Sequence, residues 1–136
     1  DVFFAGTFNA HPVGIAAGLA TLEILERPGT YEHIFSLGER ARQGMAQVAG
    51  KNHVEISSTG FGSVFVPYFM SGPINNYTDL LRNNTKKELA FRRGMIKEGL
   101  YMLPVAMKRN HVSLAHTQQD IDRTIEAADK VLSEIA

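Results

Sequence analysis

Apolar residues recur every three or four positions over most of this chain, and every second position over a short central part. The first pattern marks helices with one buried face, the second marks strands. A first helix is predicted from Pro12 to about Glu26, closed by the Pro28-Gly29 turn. Ile34, Leu37, Ala41, Met45 and Val48 then follow at steps of three, four, four and three, drawing one stripe along a second helix. Thr30 is read as its cap and Gly50 as its end. Between Val54 and Phe69 the period shortens and β-branched and aromatic residues gather, predicting two strands joined at Thr59-Gly60.

Ser71 to Asn84, rich in Gly, Pro and Asn, is read as loop. Thr85-Lys86-Lys87-Glu88 has the form of a capping box for a third helix, with Leu89, Met95 and Ile96 available for burial and Gly99 as its stop. Leu100–Leu103 and Asn110–Leu114 are short candidate strands. Thr117-Gln118-Gln119-Asp120 opens a last helix, striped by Ile121, Ile125, Ala128, Leu132 and Ile135. The sum is an α+β fold, a small antiparallel sheet with helices packed against it.

Composition narrows the function. At 136 residues and 44% hydrophobic content the chain is long enough for one core, and no apolar run is long enough to cross a bilayer. With 14 basic and 14 acidic residues there is no electrostatic case for nucleic acid or an anionic membrane. The absence of cysteine removes thiolate nucleophiles, disulfides and thiolate metal ligands. The chain opens at Asp1, and Val2-Phe3-Phe4 reads like the middle of a strand, so the expectation is a piece whose start lies upstream.

Candidate chemistry concentrates in Ala5-Gly6-Thr7-Phe8-Asn9-Ala10-His11-Pro12-Val13. A Gly-Thr loop ahead of a proline-started helix offers free backbone N–H groups, a hydroxyl donor and the positive end of the helix dipole, a set that suits an anion such as phosphate. A plain loop–helix junction explains the same residues. Gly14 and Gly18 share one helical face beside Ala17, which suits close backbone approach, in a subunit interface or within the domain. His11, His33, His53, His111 and His116 lack metal-ligand spacing, and Ser57, Ser58 and Ser63 lack a nucleophile elbow.

Four stretches carry a resemblance: Ala5-Gly6-Thr7 with Pro12 and the helix through Ala16-Ala17-Gly18-Leu19-Ala20-Thr21-Leu22-Glu23; Pro28-Gly29-Thr30-Tyr31; Gly72-Pro73 with Asn76-Tyr77-Asp79; and Val112-Ser113-Leu114-Ala115-His116-Thr117 running into Asp120-Ile121-Asp122. In order and spacing the whole chain resembles the C-terminal part of class III aminotransferases, pyridoxal-phosphate enzymes of fold type I, and within them the subgroup around glutamate-1-semialdehyde aminomutase. The resemblance implies residues 1–30 as a loop and helix leading from a large cofactor-binding domain, and 31–136 as the small C-terminal domain. It implies a cytoplasmic homodimer acting on small amino and keto substrates, with Thr7 touching the phosphate of pyridoxal 5'-phosphate held in the other subunit and Gly6 letting the backbone approach. Asn76, Tyr77 and Ala115-His116-Thr117 are assigned to folding.

Two departures matter. Where the aminomutases carry Phe-Glu-Ala, this chain has Met107-Lys108-Arg109, so a carboxylate gives way to a cation near the substrate entrance and Lys108 becomes a candidate entrance residue. A Schiff-base lysine is also required, and Lys51, Lys86, Lys87, Lys97, Lys108 and Lys130 all fall on expected surface positions. The resemblance puts that lysine upstream of Asp1, so no catalytic residue is expected in this chain and the chain alone is expected to be inactive.

Overall fold

The structure is a computed structural model that describes residues 5–135, so the strand reading of Val2-Phe3-Phe4 lies outside the described residues. The chain divides into two compact units, Asp1–Glu32 and His33–Ala136.

In the first unit a series of turns over residues 7–10 leads into helix α1, Pro12–Leu25. Proline fixes φ at the first helical position, where no N–H partner is needed. The helix ends where Glu26 donates its N–H back to Leu22 and Ile24. Val13, Leu19 and Leu22 stand exposed on α1, and the helix buries no residue. Among the described residues no other part of the chain packs within 4 Å of the place a side chain would take at Gly14 or Gly18, so neither serves a close approach within the chain there.

The second unit holds the core. Helix α2 runs Thr30–Lys51 and buries the predicted stripe, with Ala41 and Met45 fully enclosed. Thr30 does not cap it: its hydroxyl donates to the Ile24 carbonyl at 3.1 Å, and Gly50 lies inside the helix, one residue before its end. Strands β1 (Ser57–Thr59) and β2 (Val64–Tyr68) pair antiparallel, with Ser57 opposite Tyr68. Strand β3 is only Asn110–His111 and pairs antiparallel with β2 to complete a three-stranded sheet in the order β1-β2-β3. Leu100–Leu103 forms no strand. The Leu100 N–H is taken up by the helix stop before it, and the Leu103 carbonyl accepts from the Val105 N–H and from Arg92.

Helix α3, Thr85–Lys97, ends in a Schellman arrangement: Leu100 N–H bonds Met95 O at 2.9 Å and Gly99 N–H bonds Ile96 O at 3.0 Å. This needs left-handed backbone at Gly99, whose φ is +83°. Its start differs from expectation. Asn84 is the cap, its side-chain oxygen accepting the Lys87 N–H at 3.1 Å, while Glu88 is buried rather than turned back to the helix start. Ile96 faces solvent, and the burial expected of it falls to Phe91.

Helix α4, Gln118–Ile135, opens with a reciprocal capping box, in which Thr117 N–H donates to the Asp120 carboxylate at 2.7 Å and Asp120 N–H returns to Thr117 Oγ1 at 3.3 Å. Its Ile121, Ala128, Val131 and Leu132 are buried, and they join Phe91 and Met95 of α3 and Met45 of α2 in one apolar cluster with Phe65 and Phe69. Gly94 lets α3 and α4 come close, since a Cβ there would lie 2.5 Å from Val131 Cγ1. Polar ties at the rim reinforce the packing: Arg40–Asp122 at 2.5 Å, Lys51–Asp129, and Lys130–Glu98 at 2.7 Å. The loop expected over Ser71–Asn84 contains a short 3-10 helix, Tyr77–Arg82, opened by a capping box between Asn76 and Asp79.

Candidate functional site

Of the candidate residues, Gly6 and Thr7 lie in the first unit and Lys108 in the second. At the first, Gly6 O accepts the Asn9 N–H at 3.0 Å and Phe8 O accepts the His11 N–H at 3.2 Å, so the loop folds back on itself just before α1. Ala10 holds a left-handed φ of +60°, which turns the chain into the helix. His11 is extended and makes no side-chain cap, and the first turn of α1 carries no acidic residue. The N–H groups of that turn therefore keep their positive end free of a competing carboxylate. Thr7 is exposed and its hydroxyl makes no hydrogen bond among the described residues. A Cβ on Gly6 would meet the Asn9 amide group at 2.8 Å, a contact that rotation of this exposed side chain relieves. An exposed hydroxyl and a helix start whose first turn carries no acidic residue fit a phosphate.

The second candidate, Lys108, sits with an exposed side chain on the loop between α3 and β3. Its backbone is not loose. Arg92 Nη2 donates to the Lys108 carbonyl at 2.5 Å and Nη1 to the Leu103 carbonyl at 3.3 Å. Arg92 Nε bonds Glu88 Oε1 at 2.8 Å, and the same oxygen accepts the Met107 N–H at 2.8 Å. The other Glu88 oxygen accepts from the Asn83 amide at 2.7 Å, and Asn83 in turn accepts the Phe69 N–H at 2.8 Å. Both members of the ion pair are 0% exposed. On the neighbouring sheet, burial first and then the Glu88 carboxylate push the Tyr68 hydroxyl above its ordinary range, with Arg92 and Arg109 opposing them.

This network was missed from sequence, where Glu88 was read as part of a capping box. The available signal was the spacing of Glu88, Phe91, Arg92 and Met95, which puts two opposite charges on the buried face of one helix. The Ala115-His116-Thr117 run does shape the backbone, as expected. His116 Nδ1 accepts the Ser113 N–H at 3.0 Å and Thr117 caps α4. The Asn76 assignment also fits its capping role, whereas Tyr77 is 75% exposed and adds nothing to the core. Every lysine is exposed, and two are tied in surface pairs, Lys51 to Asp129 and Lys130 to Glu98. The Glu98 hydrogen bond raises the Lys130 ammonium above its ordinary value, the opposite of what a reactive amine needs.

A cleft of about 530 Å³ lies beside Leu100–Leu103 and the start of α4, with Arg109, His111, Arg123 and Asp120 among its polar walls. No described helix is long and apolar enough to cross a membrane.

No family model matches the chain. It is 33% identical over all 136 residues to a glutamate-1-semialdehyde 2,1-aminomutase of Natranaerobius thermophilus and spans 32% of that protein's length. Its structure superposes on a β-phenylalanine aminotransferase from Variovorax paradoxus with a TM-score of 0.79, at 27% identity, covering 96% of this chain and 30% of that one. The FumI protein of Sphingopyxis sp. MTA144, seen in its pyridoxal-phosphate form, superposes with a TM-score of 0.80 at 25% identity, covering 99% of this chain and 30% of that one. The resemblance to class III pyridoxal-phosphate enzymes and the α+β fold expected from the pattern both hold, and the chain corresponds to about a third of such an enzyme.

Proposed function

We propose that this chain is the C-terminal segment of a pyridoxal-phosphate-dependent class III aminotransferase, which moves an amino group between an amino donor and a keto or aldehyde acceptor. The observation that carries the reading is the end-to-end relation to an aminomutase at 33% identity, with Gly6 and Thr7 set before a bare helix start. Within that reading residues 1–30 lead from a large cofactor-binding domain, 31–136 form the small domain, and the whole protein is a cytoplasmic homodimer. When bound, pyridoxal phosphate supplies the electron sink for the transfer.

The roles of this chain's own residues follow from their chemistry. The Thr7 hydroxyl donates to a phosphate oxygen of the cofactor in the neighbouring subunit, aided by the N–H groups at the start of α1. Lys108 draws anionic substrates toward the entrance by charge. With every lysine exposed, none has the shielded setting that the Schiff-base role asks for, and we assign that role outside this chain, which alone is inactive. Losing one hydrogen bond to a charged group costs about 1.5–3 kcal/mol, or roughly ten- to hundredfold in affinity. Thr7→Ala in the full-length enzyme is therefore expected to weaken cofactor retention on dialysis by that factor, and unchanged retention overturns the role.

Two reactions fit the family, and Lys108 decides our preference. An aminomutase keeps its intermediate bound while the amino group moves between adjacent carbons, so closure at the entrance matters. Replacing a carboxylate there by Lys108 reverses the local charge, which favours exchange between separate donors and acceptors. The aminomutase relative supports the rival. The full-length enzyme given glutamate-1-semialdehyde alone, then paired donors and acceptors, separates them: efficient 5-aminolevulinate formation from the single substrate overturns the aminotransferase reading. A third reading, a stand-alone module of the same fold, requires that no lysine-bearing domain precede Asp1 in the gene.

A further inference from the structure

The loop from Leu103 to Lys108 takes its shape from a charged pair buried beneath it. Arg92 holds the loop by a carbonyl near each end, Leu103 and Lys108, while Glu88 holds the Met107 N–H between them. Met107 sits at a φ of +59°, a left-handed conformation that a methionine keeps only when its surroundings impose it. The pair itself is a poor way to stabilise a core, because desolvation of two buried charges largely cancels their attraction. Apolar residues at 88 and 92 would extend the stripe of Phe91 and Met95 without that loss. They would leave the loop's polar backbone groups unheld. Only a planar guanidinium, with its donors in a rigid fork, reaches the Leu103 and Lys108 carbonyls and Glu88 at once.

We propose that Glu88 and Arg92 are positioning residues for substrate entry: they fix the backbone of Leu103–Lys108 so that the Lys108 ammonium meets an anionic substrate from a prepared place. The proposal rests on the entrance role given to Lys108 above. A fixed backbone lowers the ordering cost that binding otherwise carries. The pair thus acts on substrates that bear a carboxylate and leaves cofactor binding alone.

The test uses the full-length enzyme, with alanine as an amino-acid ligand and ethylamine as the matching amine without its carboxylate. KM is read where turnover occurs and the inhibition constant where it does not. Arg92→Lys keeps the charge but loses the fork. It is expected to raise the constant for alanine about three- to tenfold, a size usual for coupled neighbours, with kcat, cofactor retention and the ethylamine constant little changed. Lys108→Ala should raise the alanine constant similarly, and Arg92→Lys should then add nothing in the Lys108→Ala background. Met107→Pro, which removes the N–H that Glu88 holds and cannot keep a φ of +59°, should reproduce the effect and its dependence on Lys108. It decides the matter if Arg92→Lys fails to fold. Multiplicative effects in the paired variants, or equal changes for both ligands, overturn the proposal. An unsubstituted enzyme that transfers no amino group overturns the functional reading instead, a result visible before any substitution is made.

Discussion

Replacing Glu88 alone, and then together with Arg92, gives the sharpest energetic test of the buried network. Glu88→Leu leaves the Arg92 guanidinium, 0% exposed, without its carboxylate. Breaking a buried pair from one side costs about 3–5 kcal/mol because an uncompensated charge stays out of water. The Met107 N–H and the Asn83 amide also lose their charged acceptor, at a cost of about 1.5–3 kcal/mol each. The single replacement should therefore cost roughly 6–11 kcal/mol, comparable to the whole stability of a small domain. Adding Arg92→Leu removes the stranded charge. It also frees the Leu103 and Lys108 carbonyls, which lose a donor but accept from water where the loop is exposed. The double variant should be more stable than Glu88→Leu by about 2 kcal/mol or more, yet less stable than the unsubstituted chain. Urea unfolding followed by circular dichroism reads this as a midpoint higher by about 1 M, for a slope near 2 kcal/mol/M. Where Glu88→Leu leaves too little folded protein, Glu88→Gln, which keeps an acceptor and loses the charge, takes its place in the cycle. A double variant less stable than either single one would refute the reasoning, since the two side chains would then contribute independently.

Two further outcomes follow from the packing and the titrating groups. Gly94→Ala should destabilise the chain, because overpacking against Val131 costs about 1–3 kcal/mol and outweighs a helix-propensity gain of about 1 kcal/mol; Val131→Ala in that background should restore most of the loss, and an unfolding midpoint raised by Gly94→Ala alone would contradict the close approach. The Thr117 backbone N–H, then its hydroxyl, hold the Asp120 carboxyl below its ordinary value of 3.8. A lowered folded value means stability that is full above pH 4 and is lost as pH falls through that lower value. Asp120→Asn should flatten the acid side of the melting-temperature profile, and parallel profiles for the two proteins would count against the capping box.

Much of the fold could be read from periodicity because it is a local property. The stripe on α2 and the box at Thr117–Asp120 need only neighbours three and four residues apart, and both appear as expected. What escaped reading depends on partners far along the chain. Glu88 looked like a helix-start residue because its real partners, Arg92 apart, are the Asn83 side chain and the Met107 backbone, which no spacing rule links to it. Asn110–His111 earns its place in the sheet only through β2, some 45 residues earlier. The Gly6-Thr7 loop could be seen as a place that suits an anion, but the likeness to known enzymes was needed to say which anion.

Helix α4 has a consequence for how the chain is made. It brings Ile121, Ala128, Val131 and Leu132 to a core whose other walls, Met45, Phe91 and Met95, are set out long before it on the chain. On the ribosome those walls emerge first and wait, wet, for a helix that is translated after them; at about 5–20 residues per second the interval from Phe91 to Leu132 lasts seconds. A premature stop ahead of Val131 would turn that brief exposure into a permanent one, leaving a product with a sticky open face and only the first part of α4 to cover it. The short stretch from Gln118 to Ile135 is thus a latch, and losses of a few residues there should weigh on yield and aggregation far more than equal losses in an exposed loop.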